Sequence, residues 1–281
     1  PCDTESLRGA LLARDRGLII PTLVGPEEKI RQIAEGNRLD LYGCTLINVP
    51  HSHAAAEVAV SLAREGQVEA LMKGSLHTDE LMSEVVDKAT GLRTARRISH
   101  VFLMDVPTYP RLLFITDAAV NVAPDLAAKV DIVQNAIDLA HMLKVADPKV
   151  AILAAVETVN ITMQATLDAA ALCKMADRGQ ITGGLLDGPL AFDNAISTVA
   201  ARTKGIKSAV AGQADILLVP DIESGNMLAK QLEYLADALT SGIVLGARVP
   251  IVLTSRADSA ETRTASTAVA MVMAHAKRKK A

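Results

Sequence analysis

Short apolar runs alternate with amphipathic helical stretches along almost the whole chain. That alternation is the pattern of an α/β architecture with parallel strands. The run 18–24 predicts a first strand, ended by Gly25-Pro26, and a helix follows over about 26–32. A strand at 44–49 leads into an alanine-rich helix over 53–64, and a short apolar run at 68–72 precedes a helix starting near Thr78. Asp79 and Glu80 then fall in its first turn, where carboxylates oppose the helix dipole. The runs 98–106 and 111–116 flank Pro107-Thr108-Tyr109-Pro110, which predicts a hairpin rather than a crossover. A long helix over 124–143 comes next, with strands near 150–155, 183–186, 215–219, 242–246 and 249–253.

At 281 residues the chain has room for one large domain or two ordinary ones, and a boundary is expected near the start of the long helix. No linker of Pro, Gly and Ser marks it, and no repeat is evident. Aromatic residues make up 2% of the chain and Trp is absent, which argues against a base-stacking platform. Net charge is −3 with both signs interspersed, so no general attraction for nucleic acid is expected. The basic run Lys277-Arg278-Lys279-Lys280 follows a helical pattern and suits a solvated helix end. Each strong apolar segment is interrupted by a charge or proline, so no membrane span is expected. Cys2, Cys44 and Cys173 show no metal or disulfide spacing, which points to a reducing cytoplasm.

Polar clusters collect where predicted strands end. Leu253-Thr254-Ser255-Arg256-Ala257-Asp258-Ser259 follows an apolar run and joins a hydroxyl, a guanidinium and a carboxylate. An arginine fork matches phosphate or carboxylate oxygens, a serine hydroxyl can donate to an oxyanion, and a carboxylate can take a proton. Helix capping by Ser255 and Asp258 explains the same residues without chemistry, and the heptapeptide alone leaves both readings open. Lys73-Gly74-Ser75-Leu76-His77-Thr78 offers backbone N–H groups, hydroxyls and a point charge to an anion. Asp117, which follows a strand, could orient a substrate group or form a turn. Asp187, Asp193-Asn194 and Glu223-Ser224-Gly225-Asn226 complete the set, each explicable singly as a cap.

The spacings of a Walker loop and of a dinucleotide fingerprint are absent. His51 and His53 lack a carboxylate-rich partner motif, so no metal site is expected.

Taken in order, Met72-Lys73-Gly74, Ile98-Ser99-His100-Val101, Thr116-Asp117-Ala118-Ala119, Asp187 through Ala195, Ser224-Gly225-Asn226 and the Ser255 heptapeptide resemble the phosphate acetyltransferase/phosphate butyryltransferase family. The resemblance covers about 17–276. Its wording is nearest the acyltransferase half of bifunctional enoyl-CoA hydratase/phosphate acetyltransferase proteins, which makes a fused or associated hydratase a possible partner. It implies transfer of an acetyl or butyryl group between coenzyme A and phosphate by direct thiolate attack on acyl phosphate, with no tightly bound cofactor. It also implies two α/β domains flanking a cleft, similar to the isocitrate/isopropylmalate dehydrogenases, with domains 1–130 plus 246–281 and 131–245. Subunits would pair as a homodimer.

On the same ground Ser255, Arg256 and Asp258 are expected to be catalytic. Lys73, Gly74, Ser75, His77, Thr78, Asp117, Asp187, Asp193, Asn194, Gly225 and Asn226 are expected to bind substrate. Two departures stand out. The acetyltransferase branch has an aspartate seven residues after the serine, where this chain has Thr262, which leaves Asp258 as the nearest substitute base. An arginine expected shortly after Thr78 is replaced by Leu81-Met82-Ser83, and Lys73, Arg96 and Arg97 are the cations that could supply its charge. A non-catalytic binding module for CoA or acyl phosphate, and a metal- and NAD-dependent dehydrogenase of similar fold, are the competing readings.

Overall fold

The computed structural model describes residues 1–255 and 258–279. Its contacts divide the chain into two compact units, Pro1–Arg96 with Ser241–Ala281, and Arg97–Thr240.

The first unit opens with α1 (Thr4–Asp15), a helix outside the elements expected from the sequence. Asp3 caps it by accepting the Ser6 N–H at 2.8 Å, and Leu7 and Leu11, one turn apart, are buried. Strand β1 (Thr22–Gly25), helix α2 (Glu27–Gly36) and strand β2 (Thr45–Asn48) follow, with β1 and β2 parallel. Leu7, Leu11, Leu23, Ile30 and Ala34 form their shared core. Helix α3 (Ser52–Arg64), strand β3 (Leu71–Met72) and helix α4 (Thr78–Val86) complete this stretch.

The second unit begins with β4 (Ser99–Asp105) and β5 (Leu113–Thr116), paired antiparallel from Val101↔Thr116 to Met104↔Leu113. The expected hairpin is present, and the Tyr109 hydroxyl ties its tip to the Ala214 carbonyl at 2.6 Å. Then come α5 (Leu126–Met142), β6 (Lys149–Leu153), α6 (Gln164–Asp177), β7 (Leu185–Leu190), α7 (Phe192–Ile196), α8 (Thr198–Thr203), β8 (Ile216–Leu218) and α9 (Ile222–Leu235). Strands β5, β8, β6 and β7 are parallel neighbours in that order. Met104, Ile115, Ala151, Leu153 and Leu217 lie in the core of this unit.

The chain returns through β9 (Leu239–Leu245) and β10 (Ile251–Val252), which pair antiparallel, to α10 (Ala260–Arg278). Strand β10 also pairs with β3 in parallel, Ile251↔Leu71 and Val252↔Met72. The architecture is therefore α/β with a mixed rather than purely parallel arrangement of strands.

One strand differs from expectation. The run expected to end at residue 186 continues to Leu190, so Asp187 lies within β7 and pairs with Ala151 instead of emerging at a strand end. Pro189 is tolerated because β7 is an edge strand that need not donate along its outer side. Gly188 is required there, since a Cβ would stand 2.8 Å from the Ile152 Cβ.

Candidate functional site

Parallel pairing of β3 with β10 makes both strands end together. The loop after Met72 and the loop after Val252 therefore leave side by side, and the Lys73 N–H donates to the Val252 carbonyl at 2.9 Å. Chemistry at the carboxyl ends of parallel strands is the rule in α/β proteins. These two loops carry Lys73 through Thr78 and, among the described residues, Ser255 and Asp258, so the structure brings these parts of the two sequence clusters together within one unit.

On the first loop, Lys73 is buried and its Nζ stands 3.4 Å from the Gly74 carbonyl. Ser75 Oγ accepts the Cys2 N–H at 3.0 Å. The His77 N–H donates to Glu80 Oε2 at 2.7 Å at the start of α4, and Thr78, its first residue, is exposed. Glu80 also accepts from Ser52 Oγ at 2.6 Å and lies 3.2 Å from His53 Nδ1. The Ser52 hydroxyl, the His77 N–H and the two nearby imidazoles hold its pKa below the ordinary carboxylate value. Gly74, Ser75, His77 and Glu80 line a cavity of about 1410 Å³ in this unit.

On the second loop, the Ser255 N–H donates to Asp258 Oδ2 at 2.7 Å, and the Asp258 N–H returns to the Ser255 carbonyl at 3.2 Å. Asp258 is buried while Ser255 is exposed. Neither residue caps α10. That role falls to Ser259, whose Oγ accepts the Thr262 N–H at 3.2 Å, which replaces the capping account of Ser255 and Asp258 with a reciprocal pair of hydrogen bonds between them. Arg256, expected to be catalytic, lies outside the described residues.

One residue of this site escaped the sequence reading. Arg263, 1% exposed, donates from NH1 to Thr254 Oγ1 at 2.6 Å and from NH2 to the Ser255 carbonyl at 2.8 Å. Its position gives a signal in retrospect. Arg263, Thr267, Ala270 and Ala274 fall at helical spacing on the buried face of α10, where a cation needs partners.

The remaining expected site residues belong to the second unit. Asp117 is 1% exposed and its oxygens accept the N–H groups of Ala119, Val120, Asn121 and His100 at 2.9, 3.0, 3.3 and 3.2 Å. It thus organises the turn after β5. Gly225 packs on that turn, and Asn226 Nδ2 reaches the Ala118 carbonyl at 3.3 Å. Both sit near the start of α9, which Asp221 rather than Ser224 caps. Asn194 is fully buried and donates to Glu157 Oε2 at 3.3 Å, while exposed Asp193 lies 3.6 Å from Lys204 Nζ. Asp187 Oδ1 accepts the Gly188 N–H at 2.9 Å. Among the described residues no group of three or more His, Cys, Asp or Glu side chains is placed to hold a metal, and no helix is long and apolar enough to cross a membrane.

Fold and site define an α/β protein with a glycine-serine loop and a serine loop side by side at the ends of two parallel strands. Residues 51–271 match the sequence pattern of the phosphate acetyl/butaryl transferase family. The chain belongs to that family and is an acyltransferase. It is 65% identical over 278 residues to a phosphate acetyltransferase of Rhizobium meliloti, covering 99% of this chain and 88% of the relative. A phosphate butyryltransferase of Clostridium acetobutylicum is 44% identical, covering 97% and 90%. Among solved structures, a branched-chain phosphotransacylase from Enterococcus faecalis V583 superposes with a TM-score of 0.80 at 30% identity, covering 92% and 99%.

Proposed function

We propose that the chain transfers a short acyl group, acetyl or butyryl, between coenzyme A and inorganic phosphate, with the Ser255 loop at the reacting centre. The observation that carries this reading is the side-by-side exit of the two loops from β3 and β10. That exit sets an exposed hydroxyl beside a segment able to hold an anion.

In the direction of acyl-CoA synthesis the CoA thiol loses its proton and its sulfur attacks the acyl-phosphate carbonyl. The C–S bond forms, the bond from the carbonyl carbon to the phosphate oxygen breaks, and phosphate leaves with the electron pair. No acyl-enzyme is needed. Ser255 Oγ would donate to the carbonyl oxygen as negative charge develops there. Arg256 would hold the phosphate as a bidentate donor, with Gly74, Ser75, His77 and Thr78 cradling it and Lys73 adding positive potential. Asp258 is the proposed base. One of its oxygens accepts the Ser255 N–H, which places the carboxylate in the same loop as the serine hydroxyl. Asp117, Asp187, Asp193, Asn194, Gly225 and Asn226 are kept as candidate substrate contacts of the second unit on the family resemblance. The buried, hydrogen-bonded state of Asp117 and Asn194 favours a supporting role for those two.

The finer likeness to the isocitrate/isopropylmalate dehydrogenase fold belongs to the same proposal. It is supported by two compact α/β units, the last segment of the chain rejoining the first. So does a homodimer, supported by Met227, Tyr234 and Leu235 exposed on α9. A solution mass of 29.6 kDa, that of one chain, would overturn the dimer.

The deciding assay incubates the protein with acetyl-CoA or butyryl-CoA and phosphate, with neither metal nor nicotinamide cofactor added, and follows free thiol. Phosphate-dependent thiol release is expected. Its absence with every short acyl-CoA would sink the reading.

A further inference from the structure

The β3–β10 ladder pairs only two residues of each strand, and Lys73 N–H to Val252 carbonyl is its last rung. Beyond that point the two loops are tied by a side chain. Arg263 NH1 reaches Thr254 Oγ1 at 2.6 Å and the Lys73 carbonyl at 3.4 Å, and NH2 reaches the Ser255 carbonyl at 2.8 Å. One guanidinium therefore touches the main chain of both loops.

We propose that Arg263 is a positioning residue for acyl transfer, clamping the Ser255 loop to the Lys73–Gly74 segment so that the serine hydroxyl faces the acyl phosphate. This rests on the placement of Ser255 at the reacting centre. Ser255 is an exposed residue held at both of its main-chain polar groups, its N–H by Asp258 and its carbonyl by Arg263. Anchoring both main-chain polar groups fixes the peptide from which the serine side chain projects, which is the preorganisation a reacting hydroxyl requires.

Stability alone is a poor reason for a cation in this place. Arg263 is 1% exposed, and its Nε has no hydrogen-bond partner among the described residues. Burial draws its pKa down, and the Asp3, Asp258 and Glu5 carboxylates oppose that shift. A buried charge with an unmatched donor costs stability relative to a well-packed apolar side chain, so packing alone does not account for this guanidinium, whereas its bonds to both loops do.

The clamp is itself backed by α1. A Cβ on Gly9 would stand 2.8 Å from both Cβ and Cδ of Arg263, so glycine lets α1 lie directly on the arginine stem. The guanidinium then has little room to withdraw from the loops.

The test compares kcat and KM for acyl-CoA and phosphate in the wild type, Arg263→Gln, Arg263→Lys and Thr254→Val. Thermal melts and circular dichroism establish folding. Arg263→Gln is expected to lose roughly 10- to 100-fold in kcat with substrate KM values little changed, as expected for a displaced reacting group. Arg263→Lys should recover part of that loss, since an ammonium can satisfy one acceptor but not the fork. Thr254→Val, which keeps the side-chain shape and removes one acceptor, should lose about 5-fold. If Arg263→Gln does not fold, Thr254→Val and Arg263→Lys carry the test. Wild-type kcat in the folded variants, whatever their melting temperatures, would overturn the clamp and leave the acyltransfer reading intact. A wild-type protein that releases no thiol would overturn that reading first, before any variant is compared.

Discussion

Asp258 Oδ2 accepts the Ser255 backbone N–H at 2.7 Å, closing a turn just before α10. The contact makes the carboxylate part of the loop that presents the serine hydroxyl, as well as the nearest acid to it along the chain. Structural and chemical roles can be separated there because an amide keeps an acceptor oxygen and loses the ability to take a proton.

Asp258→Asn is therefore expected to lower kcat by about 10²- to 10⁴-fold, the usual worth of a positioned base, with a modest drop in thermal midpoint because buried Arg263 loses an opposing carboxylate. Asp258→Ala should lose both kcat and stability, because the Ser255 N–H is then without its acceptor. Identical pH–rate profiles for the wild type and Asp258→Asn would place the base elsewhere.

Glu80 supports the start of α4 through the His77 N–H and Ser52 Oγ. Its folded pKa lies below the ordinary 4.5, first because of the Ser52 hydroxyl and then the His77 N–H. A depressed carboxylate contributes stability that is complete above its unfolded pKa and is lost as pH falls through the folded value. Glu80→Gln should accordingly lower the melting temperature at pH 7, and the gap from wild type should close as pH drops below 4.5. A gap that stays constant down to strongly acid pH would refute the assignment.

At Gly225 there is no space for a side chain. A Cβ would meet Val219 Cγ2 at 2.6 Å, and Ala118 Cβ and the Asp117 carbonyl at 3.0 Å. Gly225→Ala is expected to cost about 1–3 kcal/mol in urea unfolding, the range for overpacking a tight contact. An unchanged midpoint would mean that α9 can lift from the turn after β5 at no cost.

Much of the architecture was legible because burial imposes periods on a sequence. The apolar runs at 98–106 and 111–116, with two prolines between them, identify an antiparallel hairpin, and the helical pattern over 124–143 identifies α5. β7 was misjudged at its end, because whether Asp187-Gly188-Pro189 leaves the sheet depends on which neighbours flank the strand. Helix α1 carries an Asp3 cap and a Leu7–Leu11 spacing, but its burial depends on Arg263 and the rest of α10, far away in sequence.

By itself the sequence determined the α/β class, the order of the polar clusters and, through their resemblance to a known family, the acyltransferase. These follow from local periodicity and from residue types, both of which are properties of a linear chain. Only the tertiary structure decided that β3 and β10 are neighbours, that Asp258 binds the Ser255 peptide rather than capping α10, and that Arg263 joins the two loops. Each of those contacts depends on strand order and on the face a helix turns inward. Distances between residues 190 apart in sequence, such as Lys73 and Arg263, exist only after folding.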